Sequence, residues 1–194
     1  GATYRQAFVF VKMTNGNQKA VFIPFQFNNS QSYLLEFTAG SFTIYRNNGV
    51  VLNPASNITA ITKANPGVFT TSAAHSLAVN DEVSISGILG MSEISGFYQV
   101  NTVPSATTFT LKNIFGTPID TTNFTTYVSG GTTSKVFKVA HTYAEADLEN
   151  LKYAQTGDTL FISHNNYRTQ IIQRVSDLSW TFAAHTTSGG TGIN

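Results

Sequence analysis

Short apolar and β-branched runs, each closed after roughly four to eight residues by Gly, Pro, Asn or Asp, restrict this chain more than any other feature. Gln6–Met13 ends at the turn Thr14-Asn15-Gly16-Asn17, and Ala20–Phe27 follows. Pro24 lacks a backbone donor, which places that second run at an edge or a bulge. Ser32–Phe37 and Ser41–Arg46 flank Thr38-Ala39-Gly40, and Asn47-Asn48-Gly49 predicts a primed hairpin turn into Val50–Leu52. These runs predict an antiparallel meander of about five strands.

Asn53-Pro54-Ala55-Ser56-Asn57 breaks the rhythm and marks a boundary. Strands are expected beyond it at 58–63, 67–71, 81–86, 97–103, 108–112 and 126–128, spaced as in a small barrel or sandwich. Gly130-Gly131 is read as the turn that closes the segment, and Lys135–Ala140 as a further strand. One helix is expected, from about 143 to 155. Thr142 would cap it with Glu145 three residues on, Ala144, Leu148 and Leu151 would form its apolar face, and Gly157 would stop it. Strands follow at 158–163, 169–175 and 180–184, then a Gly/Ser/Thr-rich tail, 186–194, read as frayed or as a cut linker. The fold class is therefore all-β with one short α-helix.

With 41 % apolar and only 11 % charged residues in 194, the chain has the balance of a folded protein. A formal charge of +1, with the basic residues scattered, gives no electrostatic footprint for sequence-specific nucleic-acid binding or for an anionic membrane. The absence of cysteine removes disulfides, thiolate metal sites and cysteine nucleophiles. No apolar run reaches the length of a membrane span. The Gly-Ala start reads as that of a fragment of something longer.

Residues 140–164 concentrate the titratable groups: Glu145, Asp147, Glu149 and Asp158, with His141 and His164. Glu145 and Glu149 share a helix face while Asp147 points elsewhere, so helix capping and the helix dipole account for these acids better than an acid–base pair does. His141 and His164 lack HxH or HxxxH spacing and read as surface histidines at element ends. Ser163 beside His164 is no triad, because adjacent strand residues face opposite ways; Asp158 would orient His164 only by coincidence. Gly130-Gly131 and Gly189-Gly190 with Gly192 precede neither a helix nor Lys-Ser/Thr, so phosphate binding is not expected. Tyr45, Tyr98, Tyr127 and Trp180 are of the type that stacks on sugars or bases, yet in alternating strands they read as core. No catalytic, cofactor-binding or metal-binding residue is assigned, and the chain is not expected to be an enzyme.

Two resemblances add to this. The runs His75-Ser76-Leu77, Asp81-Glu82-Val83, Gly90-Met91, Glu93-Ile94, Gly96, Thr108-Phe109 and Asp120–Phe124, closing on Asn123–Gly131, resemble the small β-barrel named after the first catalytic cysteine half-domain of ubiquitin-activating enzymes. That resemblance implies a fold, used as decoration or spacer in phage and bacterial surface proteins; the reactive cysteine lies outside the module. The flanks Phe22–Phe27, Gln31–Phe37 and Ile44–Arg46, with Thr142–Leu148, Leu151–Gln155, Asp158–His164, Tyr167-Arg168 and Ser179–Phe182, resemble the N-terminal region of phage tail tubular proteins, the nozzle or tail tubular protein B type. The chain departs from that family in lacking a proline loop near Asn165–Tyr167 and in carrying the barrel between Leu52 and Val136. The resemblance implies a split β domain, 1–57 plus 137–194, interrupted by a barrel at 58–136, with the last three strands fitting one propeller-like blade. It further implies a structural component of a phage or prophage virion tail, made in the bacterial cytoplasm, homo-oligomeric in the full-length protein, partnered by other virion proteins and free of cofactors. The alternatives from other classes are a receptor- or glycan-binding module of a tail or cell-surface protein, and a hydrolase of cell-wall or capsule polymers, for which no carboxylate pair is found.

Overall fold

The computed structural model describes residues 11–28 and 31–186. The chain is all-β: antiparallel sheets with a closed six-strand barrel placed between them in sequence. It divides into two compact units, one of residues 1–18 with Asn48–Phe137, the other of Lys19–Asn47 with Lys138–Asn194. The expected strand Gln6–Met13 lies mostly outside the described residues, as does the tail beyond Thr186; 11–13 are not in a strand.

The second unit holds two sheets. The first runs β1 (Val21–Asn28), β2 (Gln31–Thr38), β3 (Ser41–Arg46) and β11 (Lys138–Ala140). Alternation along β2 sends Tyr33, Leu35 and Phe37 inward, each at most 3 % exposed. On the opposite face Glu36 is buried and accepts a hydrogen bond from the Tyr45 hydroxyl. The second sheet is the up-and-down meander β12 (Lys152–Thr156), β13 (Thr159–His164), β14 (Tyr167–Ser176) and β15 (Ser179–Ala184). Aromatic rings join the two sheets. Trp180 meets Phe25 and Tyr33 edge-on at 5.0 and 5.1 Å, and Phe182 lies 6.4 Å from Phe42 and 5.9 Å from Tyr143. Each such buried side chain stabilises the fold by about 1.5–3 kcal/mol.

Pro24 sits where its missing donor costs nothing, on edge strand β1, in unbroken register opposite Leu34; the irregularity falls later, between Gln26 and Asn28. That edge is closed by a side chain. The Gln26 N–H donates to Gln155 Oε1 at 3.1 Å, and Gln155 Nε2 donates to the Gln26 carbonyl at 2.5 Å, so one amide stands in for a residue of an adjoining strand.

The expected α-helix over 143–155 is instead a six-residue 3-10 helix, Glu145–Asn150, and Lys152–Thr156 is strand β12. The cap differs too: Ala144 precedes the helix, and its N–H donates to Asp147 Oδ2 at 2.8 Å, so Asp147 rather than Glu145 reaches back, and Thr142 caps nothing. Leu148 and Leu151 are buried as the apolar pattern requires, but pairing with β13 takes the chain from Lys152 onward.

The first unit holds the two-residue strand β4 (Gly49–Val50) and the barrel β10-β5-β6-β9-β8-β7, made of β5 (Ser56–Ile61), β6 (Val68–Thr71), β7 (Glu82–Leu89), β8 (Gly96–Ser105), β9 (Thr108–Lys112) and β10 (Ser129–Lys135). Pairing of β10 with both β5 and β7 closes it, which decides for a barrel over a sandwich. Phe69 and Phe109 stack at 5.2 Å in its core among Val83, Ile85, Met91 and Leu111. Between β9 and β10 the chain is pinned by side chains. Buried Thr121 Oγ1 donates to the Thr62 carbonyl at 2.6 Å and accepts from the Ala64 N–H at 3.1 Å, and Glu93 Oε1 accepts from the Thr125 N–H and hydroxyl. The leading and trailing segments are zipped together: Leu52 bridges Val136, the Asn53 N–H donates to the Lys135 carbonyl at 2.8 Å, and the Phe137 N–H donates to the Val51 carbonyl at 2.9 Å.

Gly130-Gly131 is not the closing turn expected from sequence. Both residues lie within β10, at positive φ. Gly131, at φ +91°, lets the barrel wall bend closely past β7; a Cβ there would stand 2.1 Å from Ile88 Cδ1 and 3.3 Å from the Ser86 carbonyl. Gly131→Ala is therefore expected to destabilise the barrel by about 1–3 kcal/mol. Urea unfolding measures this, and an unchanged midpoint would show that Ile88 has room to yield.

Candidate functional site

Asp147 gathers the most polar partners of the sequence's acidic stretch. Its Oδ2 accepts from the Ala144 N–H and from the Tyr167 hydroxyl, each at 2.8 Å, and Oδ1 lies 3.7 Å from His164 Nε2. The 3-10 helix supplies the carboxylate, the end of β13 the histidine and the start of β14 the tyrosine; the turn Asn165-Asn166 folds the last two together, 5.1 Å apart ring to ring. The hydrogen bonds from Tyr167 and Ala144 hold the Asp147 carboxyl below its usual range, and the same contact raises the Tyr167 phenol. Burial, then the charges of Tyr167 and Asp147, push Tyr143 up to about 12.

A carboxylate beside a histidine has the look of a catalytic dyad, but the protons are arranged otherwise. His164 Nδ1 accepts the Asn166 N–H at 3.1 Å, which puts the imidazole's own proton on Nε2, facing Asp147. No lone pair is left to take a proton from a nucleophile. Ser163 is exposed while His164 is buried, as strand alternation demands, and Asp158 is exposed in the β12–β13 turn. Glu145 is exposed, and Glu149 pairs with Lys19 at 2.6 Å on the surface.

His141 and His164 are not surface residues, as their positions at element ends had suggested: they are 8 % and 9 % exposed. The cause is a shared local device. His75, His141 and His164 each use Nδ1 to accept the backbone N–H two residues on, at 3.0–3.1 Å, which satisfies a turn donor and lets the ring bury as a neutral aromatic. His141 stacks 5.2 Å from Phe37. Burial lowers its pKa to about 4; the carbonyls of Ser41 and Thr38 pull the other way, but neither is placed to take a hydrogen bond from Nε2.

The strongest charged cluster was not singled out in the sequence. Asp177, in the β14–β15 turn, accepts from Arg174 Nη2 and the Tyr33 hydroxyl at 2.8 Å through Oδ1, and from Arg46 Nη1 at 2.6 Å through Oδ2. Both guanidinium groups lie over the Tyr33 ring, at 5.4 and 5.6 Å, and Arg174 also covers Phe27 at 4.7 Å. Hydrogen bonds from Arg174 and Tyr33 hold the Asp177 carboxyl below its ordinary value; burial, then the bond to Asp177, raises Tyr33. Arg174 and Asp177, three residues apart across a turn in a charge-poor chain, were the signal available. Arg46 and Tyr33 are 131 and 144 residues away and left none.

Of the four aromatics that could stack on a ligand, three are engaged elsewhere. Trp180 is buried in the sheet-to-sheet core, Tyr45 bonds Glu36, and the Tyr127 hydroxyl lies 3.1 and 3.0 Å from the Ile58 and Gly130 carbonyls. Tyr98 helps line a cleft of 340 Å³ on the barrel, with Met13, Phe97 and Ile114, beside a buried Lys12–Glu82 ion pair at 3.0 Å. Gly130-Gly131 belongs to a strand ladder, and Gly189, Gly190 and Gly192 lie outside the described residues. Among the described residues no three His, Asp or Glu side chains group as metal ligands.

Comparison with protein-family models and with curated proteins returns no match to this chain.

Two outcomes follow from the charged groups. The unfolded His141 takes up a proton near pH 6.5 and the folded one only near 4, so stability falls as pH drops through that window, by up to about 3 kcal/mol. Denaturation across pH 7 to 4 should show that slope reduced in His141→Gln. Asp177→Asn strips one partner from two arginines and is expected to cost about 1–2 kcal/mol, moderated because the carboxylate is partly in water. A double-mutant cycle with Arg174→Met should return a positive coupling; additivity would reduce the cluster to decoration.

Proposed function

We propose that this chain is a structural element of a phage or prophage virion tail, of the nozzle or tail tubular type, and that it acts by packing against other subunits. The observation that carries this reading is the meander β12–β15, a four-stranded antiparallel sheet with the connectivity of one propeller blade, lying where the sequence resembles tail tubular proteins. The use of the ionisable groups supports it. Asp147, His164 and Tyr167 cap a turn, Asp177 with its arginines clasps two sheets, and Lys12 and Glu82 neutralise each other inside the barrel unit. The inserted barrel then serves as a spacer or decoration, as in the proteins it resembles.

A receptor-binding reading has one feature of its own. Phe115 is 73 % exposed on a loop held rigid by Asn113, whose Oδ1 accepts from the N–H groups of Phe115 and Thr117, both at 3.0 Å. A fixed, exposed ring is the form a contact anchor takes.

Electron microscopy of the intact gene product, with mass spectrometry of purified particles, tests the first reading. A ring-shaped oligomer present in particles is expected. A monomer at about 10 µM that is missing from particles would overturn it.

A further inference from the structure

We propose that His164 is an acid-operated switch: on taking up a proton it releases the β13–β14 turn at Asn166 and closes instead on Asp147 of the 3-10 helix. In its neutral form the imidazole holds the turn. Its Nδ1 accepts the Asn166 N–H at 3.1 Å, so its own proton sits on Nε2. A neutral imidazole has one ring lone pair for a further proton, and here the Asn166 N–H occupies it. A second proton can therefore be added only by displacing that N–H. Once it is added, Nδ1 and the Asn166 amide are two donors facing each other.

The group that receives the ring is already in place. Asp147 Oδ1 lies 3.7 Å from Nε2, too far for a hydrogen bond and a small ring shift away from one. Both hydrogen bonds that Asp147 accepts, from the Tyr167 hydroxyl and the Ala144 N–H, end on Oδ2 and leave Oδ1 turned to the imidazole. Those bonds hold the carboxyl below its ordinary value, so it stays ionised while an imidazole gains its proton. No other charge competes for the ring. Tyr167, at 5.1 Å, and Tyr143, at 6.2 Å, are phenols raised above their usual value and remain neutral. Glu145 and Glu149 of the 3-10 helix are exposed. Lys152 stands opposite Ser163, Arg168 follows Tyr167, and His185 lies against Phe161, which puts all three on the other face of the sheet.

The exchange has a direction because its two holds lie on different elements. Before protonation the ring ties β13 to its own turn. Afterwards Asp147 bridges His164 and Tyr167, so the 3-10 helix is held more firmly while Asn165 and Asn166, both exposed, are freed to take another conformation. His75 and His141 clasp a backbone N–H in the same way, but among the described residues neither has a carboxylate set against Nε2, and protonation gives them no new partner. The switch goes beyond the subunit-packing reading and does not depend on it.

Amide exchange of the 194-residue chain, corrected for intrinsic rates and read beside the imidazole nitrogen shifts, tests this. The range is about pH 7.5 to about pH 4.5, stopping short of the value of about 4 to which burial lowers His141. The expected result is the Nε2–H tautomer of His164 before protonation. Protection at Asn166 should then fall at least about tenfold as His164 gains its proton, with Ile172 in the middle of β14 still protected. His164→Asn keeps an acceptor in place of Nδ1 and cannot titrate, so Asn166 should stay protected throughout. Asp147→Asn removes the charge that draws the ring over, and release should then need more acid. Protection at Asn166 that outlasts His164 protonation, that falls equally in His164→Asn, or that ignores Asp147→Asn would overturn the proposal. So would a ring still neutral at about pH 4.5, or loss at Ile172 in the same step, the mark of global unfolding.

Discussion

The contact of Trp180 with Phe25 and Tyr33 is what makes two sheets into one body. The rings come from β15 at one end of the sequence and from β1 and β2 at the other, so the unit has no core until its distant halves meet. Phe37, Phe42, His141, Tyr143 and Phe182 continue the same seam. A histidine belongs in that row because the Tyr143 N–H fills its Nδ1 and leaves the ring neutral, although its buried Nε2 is left without a hydrogen-bond partner. Acid sensitivity is thus written into the packing itself.

Charges are few, and those drawn into the interior or its margins are spent on closure. Asp177 binds Arg46 from the first sheet and Arg174 from the second, while Tyr33 both packs under the two guanidinium planes and donates to the carboxylate. Asp147 does the same at smaller scale, tying a 3-10 helix to the β13–β14 turn through Tyr167. These clusters resemble active sites in composition, and in each one carboxylate gathers donors from separate elements, two of them on a single oxygen.

Much of the fold was legible because alternation is a local signal. Thr108–Lys112 and Ser41–Arg46 match their strands to the residue, and Asn47 and Asn48 take the positive φ that a primed turn demands. Where sequence reasoning failed, tertiary pairing overrode local preference. Lys152–Thr156 has helix-forming residues yet pairs with β13, leaving only six residues for a 3-10 helix. Gly130-Gly131 resembled a turn since nothing local reveals that Ile88 of another strand presses on it. The histidine clasps and the Asp177 cluster were hidden for a related reason: a side chain that accepts from its own turn, or from partners more than a hundred residues away, leaves no periodic trace.

The zipped segments around Leu52 and Val136 bear on how such a chain is assembled over evolutionary time. A module whose two ends already touch imposes almost no span on the polypeptide that hosts it, whatever its internal length. Lengthening, shortening or exchanging the barrel then leaves the loop that its host must close essentially constant. The barrel behaves as a cassette, open to replacement by any domain whose termini lie one strand spacing apart.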